Sequence, residues 1–171
     1  MPNWCENSVM VSGDVAELQR FKEFVCDGDK EFSLDTICPM PDALLHVRAP
    51  VHIVDTEEEV QKIIQEQEDN YLTGVYPITK ETQAKFRQEY GADNWYDWRI
   101  QNWGVKWDVD VVIFIEDDNV LDYQFDTAWQ PPEPICSLLR EEFPNLEITW
   151  VYNDPNIQLM GCLCLPKLNN I

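Results

Sequence analysis

Residues 102–132, which read NWGVKWDVDVVIFIEDDNVLDYQFDTAWQPP, decide the fold of this chain. Within them VDVVIFI (109–115) is apolar on nearly both faces, and this pattern predicts a central strand covered on two sides. The acidic EDDN forms a turn, and VLDYQFDT (120–127) then alternates between apolar and polar residues, which predicts a strand with one buried face. The inward positions of that second strand are Leu121, Tyr123 and Phe125.

Strand and helix patterns also precede and follow this stretch. Residues 6–12 alternate as a strand, and the helical spacing that begins at Asp14 stops at Gly28. A second strand is expected over residues 32–37, so the order strand, helix, strand is the first half of a split βαβ unit. The elements expected after residue 132 are a helix beginning near Pro134 and strands at 146–152 and 158–165.

The segment from about residue 42 to residue 104 has a different character and predicts a helical insertion. Thr56 and Glu59 have the spacing of a capping box, which predicts the start of a helix. A second helix is expected from Thr79, with Gly91 as its stop, and a third follows Asp93.

Composition limits the classes of function. The 171 residues include 12 basic and 32 acidic side chains, and the formal net charge is −20. A field of this sign repels nucleic-acid phosphates and anionic membranes and attracts basic surfaces. We therefore expect neither direct nucleic-acid binding nor membrane binding. Since 44% of the residues are hydrophobic, the chain has enough apolar surface for a packed core.

Cysteine and histidine patterns indicate no metal site, cofactor or reaction. The six cysteines form no C-x-x-C pair, and Cys162 and Cys164 are expected to share one strand face. The start MPNWCENS lacks a secretory pattern, so a cytoplasmic protein with reduced thiols is expected. His46 and His52 lie outside any catalytic motif and are interpreted as loop residues.

The tryptophans allow two interpretations. Trp103, Trp107 and Trp129, together with Trp4, either seal the ends of the sheet or form an aromatic cage or a stacking platform for bases. Stacking platforms are usually accompanied by Arg and Lys, whereas the surroundings here are acidic. The architectural interpretation is therefore preferred.

Two clusters of acids are the candidate functional surface. From Asp108 to Asp126 there are seven carboxylates and no basic residue, and a second cluster runs from Asp55 to Asp69. Three interpretations are open: a solvated face, a surface for a basic partner, or a metal site. The EDDN turn lacks the spacing and the glycine of a calcium loop. The candidate partner-binding residues are Glu116, Asp117, Asp118, Asp122, Asp126, Glu57, Glu58 and Glu66.

Several short stretches together resemble a known family. MPNWCENSVMVSG, ICPMPD, NWGVKWD, FDTAWQPPEPI and FPNLEITWVY are similar to the YubB-like ferredoxin-like domain family of phages, plasmids and bacteria. The resemblance implies a ferredoxin-like α+β fold and brings no catalytic residues. We expect one domain, an antiparallel ferredoxin-like sheet with helices on one face, and the helical insertion at about 42–104.

The function that these features favour is that of a non-enzymatic, acidic interaction protein of mobile-element origin. It would occlude a basic surface of a host protein, such as a defence or nucleic-acid-handling complex, and mimicry of DNA is one form this could take. Two alternatives remain open, a nucleic-acid-associated ferredoxin-like module and an uncharacterised enzyme.

Overall fold

A computed structural model describes residues 3–69, 76–109, 111–155 and 158–164 of the chain. The chain divides into two compact units: unit 1 is Met1–Pro39 with Asn102–Ile171, and unit 2 is Met40–Gln101. Unit 2 coincides with most of the segment in which the sequence indicates a helical insertion. In the described residues no helix is both long enough and apolar enough to cross a bilayer.

Unit 1 contains a five-stranded antiparallel sheet and two longer helices. Its strands are β1 (Trp4–Ser12), β4 (Val111–Asp117), β5 (Val120–Ala128), β6 (Glu147–Asp154) and β7 (Leu159–Cys164). Its helices are α1 (Val15–Val25), the short α2 (Leu34–Ile37) and α6 (Glu133–Glu142).

The strand order β4-β5-β1-β6-β7 makes two split βαβ units. Because β5 is antiparallel to both β1 and β4, the strands β1 and β4 are parallel to each other, and α1 lies in their connection. By the same reasoning β5 and β6 are parallel with β1 between them, and α6 connects them. β7 adds an antiparallel strand at the edge of this arrangement.

Helices α1 and α6 cover one face of the sheet and form the core there. Phe21 of α1 contacts Phe143 edge to face at 5.1 Å between ring centroids and lies 6.2 Å from the ring of Tyr123. Phe32 stacks on Phe125 at 5.0 Å. The three inward positions predicted for β5 are confirmed as buried. This side of the sheet therefore holds the aromatic core.

The expectation that 109–115 forms a central strand is wrong. β4 lies at the edge of the sheet, and β1 is the central strand. On the face opposite the helices Ile113 is 44% exposed and Ile115 is 53% exposed. An apolar run predicts burial on both faces, but here one of its faces is left open.

The second strand expected at 32–37 is also wrong, because this stretch is helical. Leu34–Ile37 form α2, and the Ser33 hydroxyl accepts the backbone N–H of Thr36 at its start. The Leu34 N–H donates to Asp108 Oδ1 at 2.7 Å, and the Ser33 hydroxyl donates to Asp108 Oδ2 at 2.9 Å. These bonds satisfy the helix start, and β4 takes the place of the expected strand.

Unit 2 contains the predicted helices and a small sheet. Its helices are α3 (Glu57–Asp69), α4 (Lys80–Tyr90) and α5 (Trp95–Asn102), and its strands β2 (Ile53–Val54) and β3 (Ile78–Thr79) pair in parallel. The predicted helix start is confirmed, since the Glu59 N–H donates to Thr56 Oγ1 at 3.2 Å. The Glu59 carboxylate accepts the N–H of Asp55, one residue before the cap, at 3.0 Å. Thr79 and Gly91 cap α4, with Gly91 at φ +78°. The β2–β3 pair was not predicted.

Candidate functional site

The acids of the β4–β5 turn do not form one surface. Glu116 lies on the helix-covered side, where its Oε2 is 2.5 Å from Lys22 Nζ of α1. The hydrogen bond to Glu116 raises the pKa of Lys22. Asp117 is the last residue of β4, and its Oδ1 accepts the Asp118 N–H at 2.8 Å. One of the three turn carboxylates is therefore already paired with a cation.

Asp108, the first acid of the cluster, has an architectural role. Besides its bonds to Ser33 and Leu34 it accepts the Val109 N–H at 2.8 Å, and its Oδ2 is 3.2 Å from Lys30 Nζ. It therefore joins the α2 start to the chain entering β4. Asp110, another acid in the cluster, lies outside the described residues.

The candidate acids of α3 belong to unit 2 and have local partners. Glu57 Oε1 accepts the hydroxyls of Thr79 and Thr82, each at 3.3 Å. Glu66 forms an ion pair with Lys62 at 3.9 Å, and Glu58 is exposed in the first helical turn. Acids in a first turn interact favourably with the helix dipole, so part of this cluster is explained by helix stability.

Asp122 and Asp126 lie on the sheet face opposite α1 and α6, which we call the open face. Alternation along the strands and the strand register place a mixed set of apolar and polar side chains there. The set is Trp4, Glu6, Ser8 and Met10 on β1, Ile113 and Ile115 on β4, Asp122, Gln124 and Asp126 on β5, Thr149, Val151 and Asn153 on β6, and Met160 and Cys162 on β7.

A row of four residues crosses the open face toward the end of the sheet where β1 begins. Glu6 pairs with Asp126 on one side and with Asn153 on the other, and Asn153 pairs with Met160. The Asn153 amide donates to Glu6 Oε2 at 2.8 Å. Partial burial, and then the nearby Glu6 carboxylate, raise the pKa of Asp126. Two carboxylates therefore stand opposite each other across neighbouring strands.

This row lies in a depression of about 490 Å³. Its walls combine the two carboxylates with exposed apolar side chains, and Met160 is 79% exposed. The apolar lining includes Ile113, Val151 and Met160. A depression of this composition fits a basic ligand that also carries hydrocarbon.

Asp122 lies two rows beyond, past the Ser8–Gln124 pair and beside exposed apolar residues. It pairs with Met10 on one side and with Ile115 on the other. The Gln124 amide donates weakly to Asp122 Oδ2 at 3.4 Å, whereas Oδ1 is buried without a hydrogen-bond partner among the described residues. A buried carboxylate oxygen without a hydrogen bond costs free energy.

Glu6 is the carboxylate of this site that the sequence analysis did not predict. Its signal is the alternation of residues 6–12, which places Glu6 on the polar side of β1. The sequence does not show, however, that β1 pairs with β5 in the register that sets Glu6 opposite Asp126.

Of the four tryptophans interpreted as architectural, Trp103 is part of the core, and the other three are only half-buried. Trp103 is fully buried, and its indole N–H donates to the Cys38 carbonyl at 2.8 Å. Trp4, Trp107 and Trp129 are 40–55% exposed. The rings of Trp4 and Trp107 lie 6.2 Å apart, and Lys106 Nζ is 3.7 Å from the centre of the Trp107 ring.

The cysteines are free thiols, and the expected shared face of Cys162 and Cys164 is wrong. A bulge pairs Trp150 with Cys164 and Val151 with Cys162, so Cys162 is exposed and Cys164 is buried. Cys164 Sγ lies 3.1 Å from Cys136 Sγ inside unit 1. Within the described part of the chain no three His, Cys, Asp or Glu side chains are placed to hold a metal ion.

The histidines belong to unit 2. His46 is exposed and its ring is 4.7 Å from the ring of Tyr76. His46 also borders a cleft of about 300 Å³ whose walls include Val60, Ile64 and Phe86. His52 is exposed, and its carbonyl accepts the Ile78 N–H at 3.0 Å.

Comparison with known proteins supports the fold. Residues 102–167 match a family model described as the ferredoxin-like domain in Api92-like protein. No curated protein matches the chain. The crystal structure of a protein api92 from Yersinia pseudotuberculosis superposes with a TM-score of 0.52, at 12% identity, over 95% of this chain and 93% of that one. The predicted fold class is thereby confirmed: the protein is α+β, with a ferredoxin-like domain similar to that of Api92-like proteins.

Proposed function

We propose that this protein is a non-enzymatic interaction protein whose acidic open face occludes a basic surface of a partner protein. The observation that carries the proposal is the open face, where Glu6 and Asp126 line a depression together with exposed apolar side chains. Asp122 lies on the same face outside the depression, between the exposed Met10 and Ile115. The resemblance to YubB-like proteins supports a phage or plasmid origin, with a basic host protein in the cytoplasm as the partner. Mimicry of DNA is the form that fits a nucleic-acid-handling target.

The distribution of charge supports unit 1 as the binding unit. Unit 1 contains 20 acidic and 6 basic side chains, a formal charge of −14. Unit 2 contains 12 acidic and 6 basic side chains, a formal charge of −6. The surplus of negative charge therefore lies mainly in the unit with the open face.

Charge and apolar contact contribute at different stages of binding. Long-range attraction speeds the encounter with a basic surface and weakens as salt is added. Once the surfaces meet, burial of Met10, Ile113 and Ile115 lowers the rate of dissociation, because apolar area leaves water. A surface with only carboxylates lacks this second contribution.

The candidate acids do not contribute equally in this proposal. Asp122 and Asp126 belong to the open face, and Asp117 and Asp118 lie at its margin. Glu116 contributes little because Lys22 already neutralises it. The acids of unit 2, Glu57, Glu58 and Glu66, are candidates for a separate contact.

The test is co-purification of the tagged protein from a nuclease-treated bacterial lysate at low and high salt. We expect a stoichiometric basic partner that is released as salt rises and is lost in the double variant Asp122→Asn/Asp126→Asn. The matched control is Glu23→Gln/Glu141→Gln, which removes the same charge from exposed positions on α1 and α6. Equal capture by both double variants would overturn the proposal.

A second candidate is a single-stranded nucleic-acid module, which the three exposed tryptophans favour. Trp4 and Trp107 present adjacent rings, and Lys106 brings a cation to them. The charge of −14 on the same unit opposes phosphate binding. A mobility assay with single-stranded DNA and with single-stranded RNA at low salt separates the two candidates. A shift of either nucleic acid favours the nucleic-acid module.

A further inference from the structure

We propose that Trp4, Glu6 and Asp126 form a recognition site for an arginine side chain of the partner protein. The inference rests on the proposed function and deepens it, because it names the group that the open face selects. The occupant is an arginine-bearing segment of a basic protein that lies across β5, β1 and β6.

The two carboxylates are placed to bracket one guanidinium group. Glu6 and Asp126 are directly opposed on antiparallel strands. Side chains in that relation have Cβ atoms about 5 Å apart, and like charges there repel each other. On Glu6 the Asn153 amide supplies one neutral donor, which leaves most of the negative charge of the pair uncompensated. A cation between the carboxylates would turn this repulsion into attraction.

An aromatic surface adjoins the carboxylate pair. Trp4 and Glu6 are two residues apart on β1, so their side chains lie on the same face about 7 Å apart along the strand. Trp4 is 46% exposed, and the Trp107 ring flanks it. The Lys106 ammonium over the Trp107 ring is a cation–π contact within the chain itself. The ring of Trp4 offers a similar surface to a cation from outside.

This combination favours arginine over lysine. Guanidinium is planar, stacks on indole, and has five donors that match carboxylates two at a time. Ammonium is a compact and strongly hydrated charge that does not use the ring and both carboxylates in one plane. The depression beside the pair, with Val151 and Met160 in its lining, accommodates the hydrocarbon of the bound segment. The carboxylates select a positively charged ligand, and the Trp4 ring favours a planar cationic group.

The test uses two capped peptides that alternate glycine with four arginines or with four lysines. Binding is followed by calorimetry and by tryptophan fluorescence at low salt. We expect the arginine peptide to bind the wild-type protein about tenfold more tightly than the lysine peptide. Glu6→Gln and Asp126→Asn should each weaken arginine binding about tenfold. Trp4→Ala should remove most of the preference for arginine, and Trp4→Phe should retain part of it.

The control Glu141→Gln removes a carboxylate on α6 and should change either affinity by less than about twofold. Circular dichroism establishes that each variant is folded. The arginine site would be overturned if the wild-type protein bound the two peptides with equal affinity. It would also be overturned if Trp4→Ala weakened the binding of both peptides equally. Either result would leave a general acidic docking face in place. If neither peptide binds and no basic partner co-purifies, the arginine site and the proposed function both fail.

Discussion

Glu6 of β1 lies directly opposite Asp126 of β5, so two carboxylates face each other across the central strand pair of the sheet. This pairing works against stability, because like charges opposed on neighbouring strands repel each other. Such a cost is characteristic of a surface shaped for a ligand of opposite charge, and it makes a prediction about the unbound protein.

Neutralising either carboxylate should stabilise the protein in the absence of a partner. Glu6→Gln or Asp126→Asn is expected to raise the free energy of unfolding by about 0.2–1 kcal/mol at pH 7. Urea unfolding of each variant, beside Glu141→Gln as the exposed control, measures this. A loss of stability in both variants would show that the pair is not repulsive.

The same pair predicts the sign of a pH effect. The pKa of Asp126 is raised in the folded protein by partial burial and by Glu6. Its contribution to stability is therefore fully present below the unfolded pKa of about 3.9 and is lost as the pH rises through the raised folded pKa. The stability advantage of Asp126→Asn over the wild type should shrink as the pH falls from 7 toward 4. An advantage that is independent of pH contradicts this assignment.

The pKa of Asp93 in unit 2 is shifted in the opposite direction to that of Asp126. Burial opposes its charge, but donors from Asn94 and Gln83 and the Arg87 guanidinium outweigh that effect and lower the pKa of Asp93. Its contribution is present above the unfolded pKa of about 3.9 and is lost as the pH falls through the lowered folded pKa. Asp93→Asn should destabilise the protein by about 2 kcal/mol at pH 7. Thermal unfolding measures this loss, with Asp55→Asn, at a highly exposed carboxylate of the same unit, as the comparison.

The sequence predicts where the strands and helices of this protein lie better than it predicts which of them pack against each other. The alternation of 120–127 identifies β5 and its buried face, and Thr79 and Gly91 mark the ends of α4. The apolar run of β4 does not distinguish a central strand from an edge strand that leaves one apolar face open. That distinction depends on what packs against the strand, which lies elsewhere in the chain.

The candidate site shows the same limit. Asp122 and Asp126 are identified by charge alone, whereas Glu6 joins them through strand pairing over 120 residues of sequence. Charge counting also includes Asp108 and Glu116, which the fold uses for a helix start and an ion pair. A cluster of acids in the sequence is therefore not one surface in the structure, and the two kinds of acid should respond differently to mutation.

Asp108 should behave as an architectural residue. Asp108→Ala leaves the Leu34 and Val109 N–H groups without their acceptor, so we expect a loss of about 2–3 kcal/mol in the free energy of unfolding. Asp108→Asn keeps one acceptor oxygen and should lose less. Urea unfolding of both variants shows which of them loses more stability. If Asp108→Ala is as stable as the wild type, Asp108 belongs with the solvated acids.

Gly104 is required by the turn that leads from Trp103 toward β4. Its φ is +82°, a region that side chains disfavour, and a Cβ atom there would lie 2.9 Å from Pro134 Cδ. The Gly104 carbonyl accepts the Gln130 amide at 2.5 Å, which holds the turn against the Pro-Pro corner. Gly104→Ala should therefore destabilise the protein by about 1–3 kcal/mol. Thermal unfolding of Gly104→Ala beside Gly28→Ala tests the steric part, because Gly28 also has positive φ but has open space around it. Equal losses at the two positions would mean that backbone conformation alone, and not the contact with Pro134, sets the requirement.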